Sequence, residues 1–133
     1  MKTIKVTGAI IQNDNNFLIG RRGKDEKSAG MWEFPGGKLE KGESPKECIK
    51  RELKEELNID AEIGELFFSY TYNYPHVSYE LYFFKVNSYF GEPVKSVHDK
   101  LKWEKLKNFY KYDFLAGDGP LIDKLMSENN KRY

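Results

Sequence analysis

From Gly37 to Ile59 the chain reads GKLEKGESPKECIKRELKEELNI, and the run Arg51-Glu52-Leu53-Lys54-Glu55-Glu56 within it crowds three carboxylates together. On an α-helix Glu52 and Glu56 stand one turn apart on one face and Glu55 lies three residues from Glu52, so all three converge near one point. Carboxylates this close raise one another's pKa, and a bound divalent cation is the usual means of keeping them ionised. Magnesium takes oxygen ligands, keeps several waters and is commonly shared between protein carboxylates and substrate phosphates. The stretch therefore reads as a magnesium-diphosphate site. Glu52, Glu55 and Glu56 are its candidate metal ligands and catalytic acids, with Mn2+ able to substitute for Mg2+.

Acids on a helix are more often a solvated face, and the flanking residues are what favour a site. Ser44 is placed to cap the helix, Pro45 fits its first position, and Glu47 completes a capping box. Ile49, Leu53 and Leu57 recur every four residues and dock the opposite face on a core. Ahead of the helix runs Phe34-Pro35-Gly36-Gly37-Lys38-Leu39-Glu40-Lys41-Gly42-Glu43, whose glycines allow a ligand close to the backbone. Lys38 and Arg22 are the candidate phosphate contacts, Arg22 because a guanidinium grips two oxygens at once. Exposed surface cations are the alternative for both. Glu43 and Arg51 read as a structural pair joining loop to helix.

These residues resemble the Nudix box, G-x5-E-x7-R-E-U-x-E-E-x-G-U with U a bulky aliphatic. Gly37, Glu43, Arg51, Glu52, Leu53, Glu55, Glu56 and Ile59 fall on its fixed positions, and only Asn58 departs, standing where the pattern has glycine. That glycine ends the helix in a left-handed conformation, which Asn tolerates best among the other residues. The likeness to the MutT-like nucleotide-pool enzymes of this family extends over nearly the whole chain, through Trp32-Glu33-Phe34-Pro35-Gly36-Gly37-Lys38, Gly91-Glu92-Pro93, Trp103 and Gly117-Asp118-Gly119-Pro120-Leu121. It implies an α/β/α sandwich with a mixed sheet and the Gly36 carbonyl as a further metal ligand. The implied activity is hydrolysis of a nucleoside triphosphate to monophosphate and pyrophosphate. The named likenesses are 8-oxo-dGTP diphosphatases, which clear damaged nucleotides, and CTP pyrophosphohydrolases. A catalytically weak nucleotide sensor is the reading from another class.

At 133 residues, 39% hydrophobic and 15% aromatic, residues 1–133 fit one domain with a real core and leave no room for a second. Twenty-two basic against 21 acidic residues give net charge +1, which provides no drive toward nucleic acid or an anionic membrane and favours a free small substrate. Cys48, the single cysteine, excludes an internal disulfide and suits the reducing cytoplasm. The apolar start from Val6 to Ile11 lacks the features of a signal peptide or membrane span. A monomer and a homodimer are equally compatible with the sequence.

The coarse order is strand (Thr3 to Gln12), turn (Asn13 to Asn16), strand (Phe17 to Arg21), polar loop (Arg22 to Met31), box helix, and two aromatic strands (Ala61 to Tyr74, Val77 to Asn87) around Tyr74-Pro75-His76. A strand from Lys100 to Leu106 and an amphipathic helix from Pro120 to Ser127 follow, with the last residues fraying. Both faces of Leu81-Tyr82-Phe83-Phe84 are apolar, which predicts a sheet covered on two sides.

Two positions bear on detail. The resemblance places a further metal-binding glutamate in the loop before the Trp103 strand, and Val97 occupies that place. His98 is the candidate replacement, as nitrogen ligand or base, with Asp99 beside it; an ordinary surface histidine is the alternative. The base pocket is expected from Phe34, Tyr74 and Val77, closed by Asp118. An ionised Asp118 suits an exocyclic amino donor, which cytosine, adenine and guanine offer and thymine lacks. A helix N-cap is its alternative role.

Overall fold

Apolar residues alternate between two cores along the same strands, which is what makes the molecule layered. Ala9, Ile11 and Leu18 join one buried cluster with Ile49, Leu53 and Leu57 of the box helix. Ile10, Phe17 and Ile19 join another with Leu106, Phe109, Leu121 and Leu125. Successive strand side chains point to opposite faces, so one strand feeds both cores.

The computed structural model describes residues 2–130. Residues 131–133, where the sequence suggests fraying, lie outside the described residues. In chain order the strands are β1 (Lys2–Ile10), β2 (Gln12–Asn13), β3 (Asn16–Arg22), β4 (Trp32–Glu33) and β5 (Gly36–Lys38). Helix α1 (Pro45–Leu57) follows, then β6 (Asp60–Asn73), β7 (Val77–Phe90), β8 (His98–Lys105) and α2 (Gly119–Asn130). Two 3-10 turns, Leu106–Lys111 and Ala116–Asp118, separate β8 from α2. One sheet has the order β5-β1-β7-β6, with β1 parallel to β7 and the other pairs antiparallel. A second sheet carries β2, β4 and β8 around β3. With α1 over one face and α2 over the other, this is the α/β/α arrangement with mixed strand directions.

Where the structure departs from the sequence reading, pairing with another strand explains it. The first strand ends at Ile10, and Gln12–Asn13 pairs back onto β3 through a turn in which Asp14 has φ 54°. The final strand begins at His98 rather than Lys100 and pairs with β3 from Arg22 to Asn16. The loop before α1 contains a three-residue strand, β5, set against Val6, Thr7 and Gly8 of β1. Glycines and a proline gave no strand signal there; the pairing is imposed by β1.

Helix α1 starts as its sequence prescribes. The Glu47 N–H donates to Ser44 Oγ at 3.1 Å and the Ser44 N–H donates to Glu47 Oε1 at 2.9 Å. It ends at Asn58, with φ 56° and ψ 41°, whose N–H returns to the Leu53 and Lys54 carbonyls. Asn thus fills the left-handed position that the box gives to glycine. Among the described residues no helix is long and apolar enough to cross a membrane.

Candidate active site

Packing draws the acidic face of α1 onto β5. The Gly36 N–H donates to Glu56 Oε1 at 3.0 Å. At Gly37 an added Cβ would lie 2.4 Å from the Glu52 carboxyl carbon, so that side chain rests against bare backbone. At Gly36 a Cβ would lie 2.0 Å from the Thr7 carbonyl oxygen, so only glycine lets β5 approach β1 this closely. Two of the three box glutamates therefore meet at the glycine pair. Glu55 is more exposed and turns toward Arg51, which donates to it at 3.0 Å.

Arg51 organises the loop. Its Nε and a terminal nitrogen donate to the two Glu43 oxygens at 2.7 and 3.0 Å, and other contacts go to Glu40, Glu52 and the Lys38 carbonyl. The bond from Arg51 holds the Glu43 carboxyl at about 2, well below the usual carboxylate range. The expected Glu43–Arg51 pair is present as a two-pronged clamp.

Charge is crowded on the other side of α1. Glu56 is buried, and burial first, then the Glu33 and Glu52 charges, push its carboxyl up to about 9. Burial likewise raises Glu52, against the opposing pull of Arg51. A cation among these oxygens would remove the penalty that raises both, so the donor set fits a hard divalent ion. Cys48 is also buried, its thiol pushed up to about 11 by that burial, and it contacts Thr7; it is filler.

His98 is no surface histidine. It is 3% exposed, with Nε2 2.8 Å from Glu33 Oε2. Asp99 instead faces outward and receives two bonds from Arg21, at 2.7 and 3.0 Å. Val97 is partly exposed, and its carbonyl accepts from the Gly23 N–H at 3.2 Å. Arg22 directs NH1 to both Glu33 oxygens at 3.1 Å and donates through Nε to the Lys27 carbonyl, so its guanidinium is engaged by protein acceptors. Lys38 is exposed on β5, directly after the glycine pair in sequence. Glu33, which the sequence reading left without a role, is the joint between Arg22 and His98. Its signal was an acid flanked by Trp32 and Phe34 in a strand too short to recognise.

The expected base pocket is only partly assembled. Asp118 is buried and its Oδ2 accepts the Phe34 N–H at 3.0 Å. The Phe34 ring lies in the core against Phe83, Phe109 and Phe114, so Phe34 meets Asp118 through its backbone. Tyr74 and Val77 sit at the β6–β7 turn, where the Tyr74 N–H donates to the Val77 carbonyl at 2.8 Å. The aromatic residue joined to the Asp118 segment is Tyr70, whose hydroxyl donates to the Gly117 carbonyl. Tyr70 and Tyr72 alternate on β6 ahead of Tyr74 in the turn, so the period of two was the available signal for it. Burial pushes the Asp118 carboxyl up to about 7, against the pull of the Phe34 N–H.

Comparison with known proteins agrees with this geometry. A family model described as the NUDIX domain matches residues 2–125. The 8-oxo-dGTP diphosphatase of Escherichia coli K12 is 36% identical over 126 residues, covering 94% of this chain and 98% of that protein. The CTP pyrophosphohydrolase of the same organism is 34% identical over 127 residues, covering 96% and 94%. The solution structure of the E. coli ORF135 protein superposes with a TM-score of 0.89 at 33% identity, covering 99% of this chain and 94% of that one.

Proposed function

The chain belongs to the Nudix family of hydrolases, and we propose that it is a magnesium-dependent nucleoside triphosphate pyrophosphohydrolase acting on 8-oxo-dGTP, with residues 1–133 as one catalytic domain. The observation that carries this reading is the seating of Glu52 and Glu56 on the Gly36-Gly37 strand. Relatives named 8-oxo-dGTP diphosphatase support the substrate.

Glu52, Glu55, Glu56 and the Gly36 carbonyl would hold the cation. When bound, Mg2+ neutralises phosphoryl oxygens and makes water more acidic. The chain's own groups then have distinct tasks. Lys38 reaches the phosphates from β5, and Arg22 joins it by exchanging a Glu33 contact for a phosphoryl oxygen. Arg51 fixes Glu52 and the loop, so that carboxylate is already in place as charge develops. One box glutamate accepts a proton from water; the water oxygen bonds to phosphorus, the α–β anhydride bond breaks, and pyrophosphate leaves. The product is a nucleoside monophosphate. A free nucleotide in the cytoplasm is the substrate this predicts, with no nucleic-acid polymer.

CTP or dCTP is the second reading, favoured by Asp118. An ionised Asp118 accepts from an exocyclic amino group, whereas the protonated acid also donates. The test is pyrophosphate release with Mg2+ across 8-oxo-dGTP, dGTP, CTP, dCTP, dATP and dTTP. We expect 8-oxo-dGTP or a cytidine triphosphate to give the highest kcat/KM. Preference for dTTP would defeat the Asp118 pocket, and absence of pyrophosphate release from every nucleotide would defeat the function.

A further inference from the structure

The ends of the two sheets are guarded unequally. Strand β5 is three residues long, β2 and β4 two each, and β8 carries Lys100, Lys102 and Lys105. Short strands and lysines both keep an edge from pairing with another chain. The second half of β6 has neither. The strand runs for 14 residues at the end of its sheet, and from Leu66 to Tyr79 the sequence contains no Asp, Glu, Lys or Arg. Bulges, a third such device, are confined to the stretch before Phe68.

From Phe68 to Asn73 the strand keeps a regular antiparallel register with β7. Just beyond it, the Tyr74 N–H donates to the Val77 carbonyl at 2.8 Å. Backbone groups alternate sides along a strand, so Tyr72 and Tyr70 also address β7, while Ser69, Thr71 and Asn73 direct theirs to the free side. These three residues are exposed, and among the described residues no strand pairs with that side.

The side chains alternate as well. Phe68, Tyr70 and Tyr72 pack on the core beneath α2, and Ser69 and Thr71 point the other way. The run Phe68-Ser69-Tyr70-Thr71-Tyr72 is thus a palindrome of chemical classes: ring, hydroxyl, ring, hydroxyl, ring. Laid antiparallel on a copy of itself about Tyr70, it sets Ser69 opposite Thr71, Phe68 opposite Tyr72, and Tyr70 opposite its own counterpart. Ser69 and Thr71 then exchange backbone N–H···O bonds, and the rings fall at the non-bonded pairs, where side chains stand closer. Aromatic pairs and Ser–Thr pairs both stabilise antiparallel strands, and no like charges meet.

We propose that two copies of this chain pair antiparallel along β6, centred on Tyr70, so that their sheets join into one. The two-fold symmetry closes the assembly, because each copy occupies the other's unguarded edge. A contact of one strand edge falls below the ~1,600 Å² of a standard interface, so the dimer dissociates on dilution. Tyr70 also donates its hydroxyl to the Gly117 carbonyl next to Asp118, and pairing braces the strand that holds that turn.

Sedimentation velocity of the whole chain, from about 1 µM to about 1 mM, tests this. Wild type should pass reversibly from monomer to dimer with no larger species. Thr71→Lys, at an exposed position, should keep the circular dichroism of wild type and weaken the dimer about tenfold, because the added charge acts twice across the two-fold axis. Ser69→Glu added to Thr71→Lys should restore association, since the Tyr70-centred register sets each Glu opposite a Lys. Should Thr71→Lys lose its fold, Ser69→Lys at the same cross-strand pair decides by the same outcomes. A wild type that stays monomeric leaves the edge to another protein's strand or to none, and overturns the dimer. Open-ended growth, or a dimer indifferent to Thr71→Lys, overturns it too, and a double variant no tighter than Thr71→Lys overturns the register.

Discussion

Glu56 and Asp118 are both buried acids, and they make opposite demands on a substitution. Replacing Glu56 with Gln keeps the size of the side chain and removes the charge a cation needs. The expected loss in kcat is at least about a hundredfold, in line with electrostatic contributions of several kcal/mol, with an unchanged far-ultraviolet circular dichroism spectrum. Wild-type turnover at saturating Mg2+ would remove Glu56 from the site. For Asp118 the consequence is a stability profile. Its folded carboxyl titrates at about 7, and in the unfolded chain it titrates near about 4. The folded state binds the extra proton between these values, so the stability this group contributes is full below about pH 4 and is lost as pH rises through about 7. Asp118→Asn should flatten that fall, seen as a denaturation midpoint that decreases less than wild type between pH 4 and 7. Parallel profiles would mean the carboxyl is ionised in the fold throughout that range. The box acids were legible as single residues because their spacing is a helical fact. Glu33 was not, because its partners Arg22 and His98 are remote along the chain or across a loop.

Helix α1 and strand β5 work as a unit, and the boundary between them is set by absent side chains. Gly37→Ala would push a methyl into the Glu52 carboxylate. We expect it to lower kcat more than tenfold while moving the melting temperature less than Gly36→Ala, whose methyl meets the Thr7 backbone. A thermal melt beside a turnover assay separates the two, and equal behaviour of the variants would refute this division of labour. At the other helix end, Asn58→Gly should hold or raise the melting temperature, since glycine takes φ 56° without cost, whereas Asn58→Val should lower it. Removal of the Ser44 cap by Ser44→Ala should cost about 1 kcal/mol. The caps were readable because they depend on neighbours within four residues. Strand β5 was not, since its reason for being a strand lies in Val6, Thr7 and Gly8. The place of the Phe34 ring was illegible for the same reason: it packs against Phe83, Phe109 and Phe114, a core that only tertiary structure assembles.

For the molecule as a whole, cation binding and folding should be linked, because the penalty on Glu52 and Glu56 exists only when the chain is folded and cation-free. Treatment with a chelator should abolish hydrolysis and lower the melting temperature, and Mg2+ should restore both in a concentration-dependent way. A melting temperature indifferent to Mg2+ up to saturation of activity would contradict the linkage. The layered plan was legible from the two-sided apolar strands, since Leu81 and Phe83 do face one core and Phe84 the other. The position of β1 has a consequence for synthesis. It lies inside its sheet, between β5 and β7, and the residues of β7 in register with it run from Val77 to Lys85. A nascent chain thus carries Ala9 and Ile10 without their strand neighbours Phe84 and Lys85 until most of the sequence has left the ribosome. Such long-range closure slows folding and leaves apolar segments open to aggregation meanwhile. Chaperone dependence during translation should therefore exceed what the stability of the finished fold would suggest.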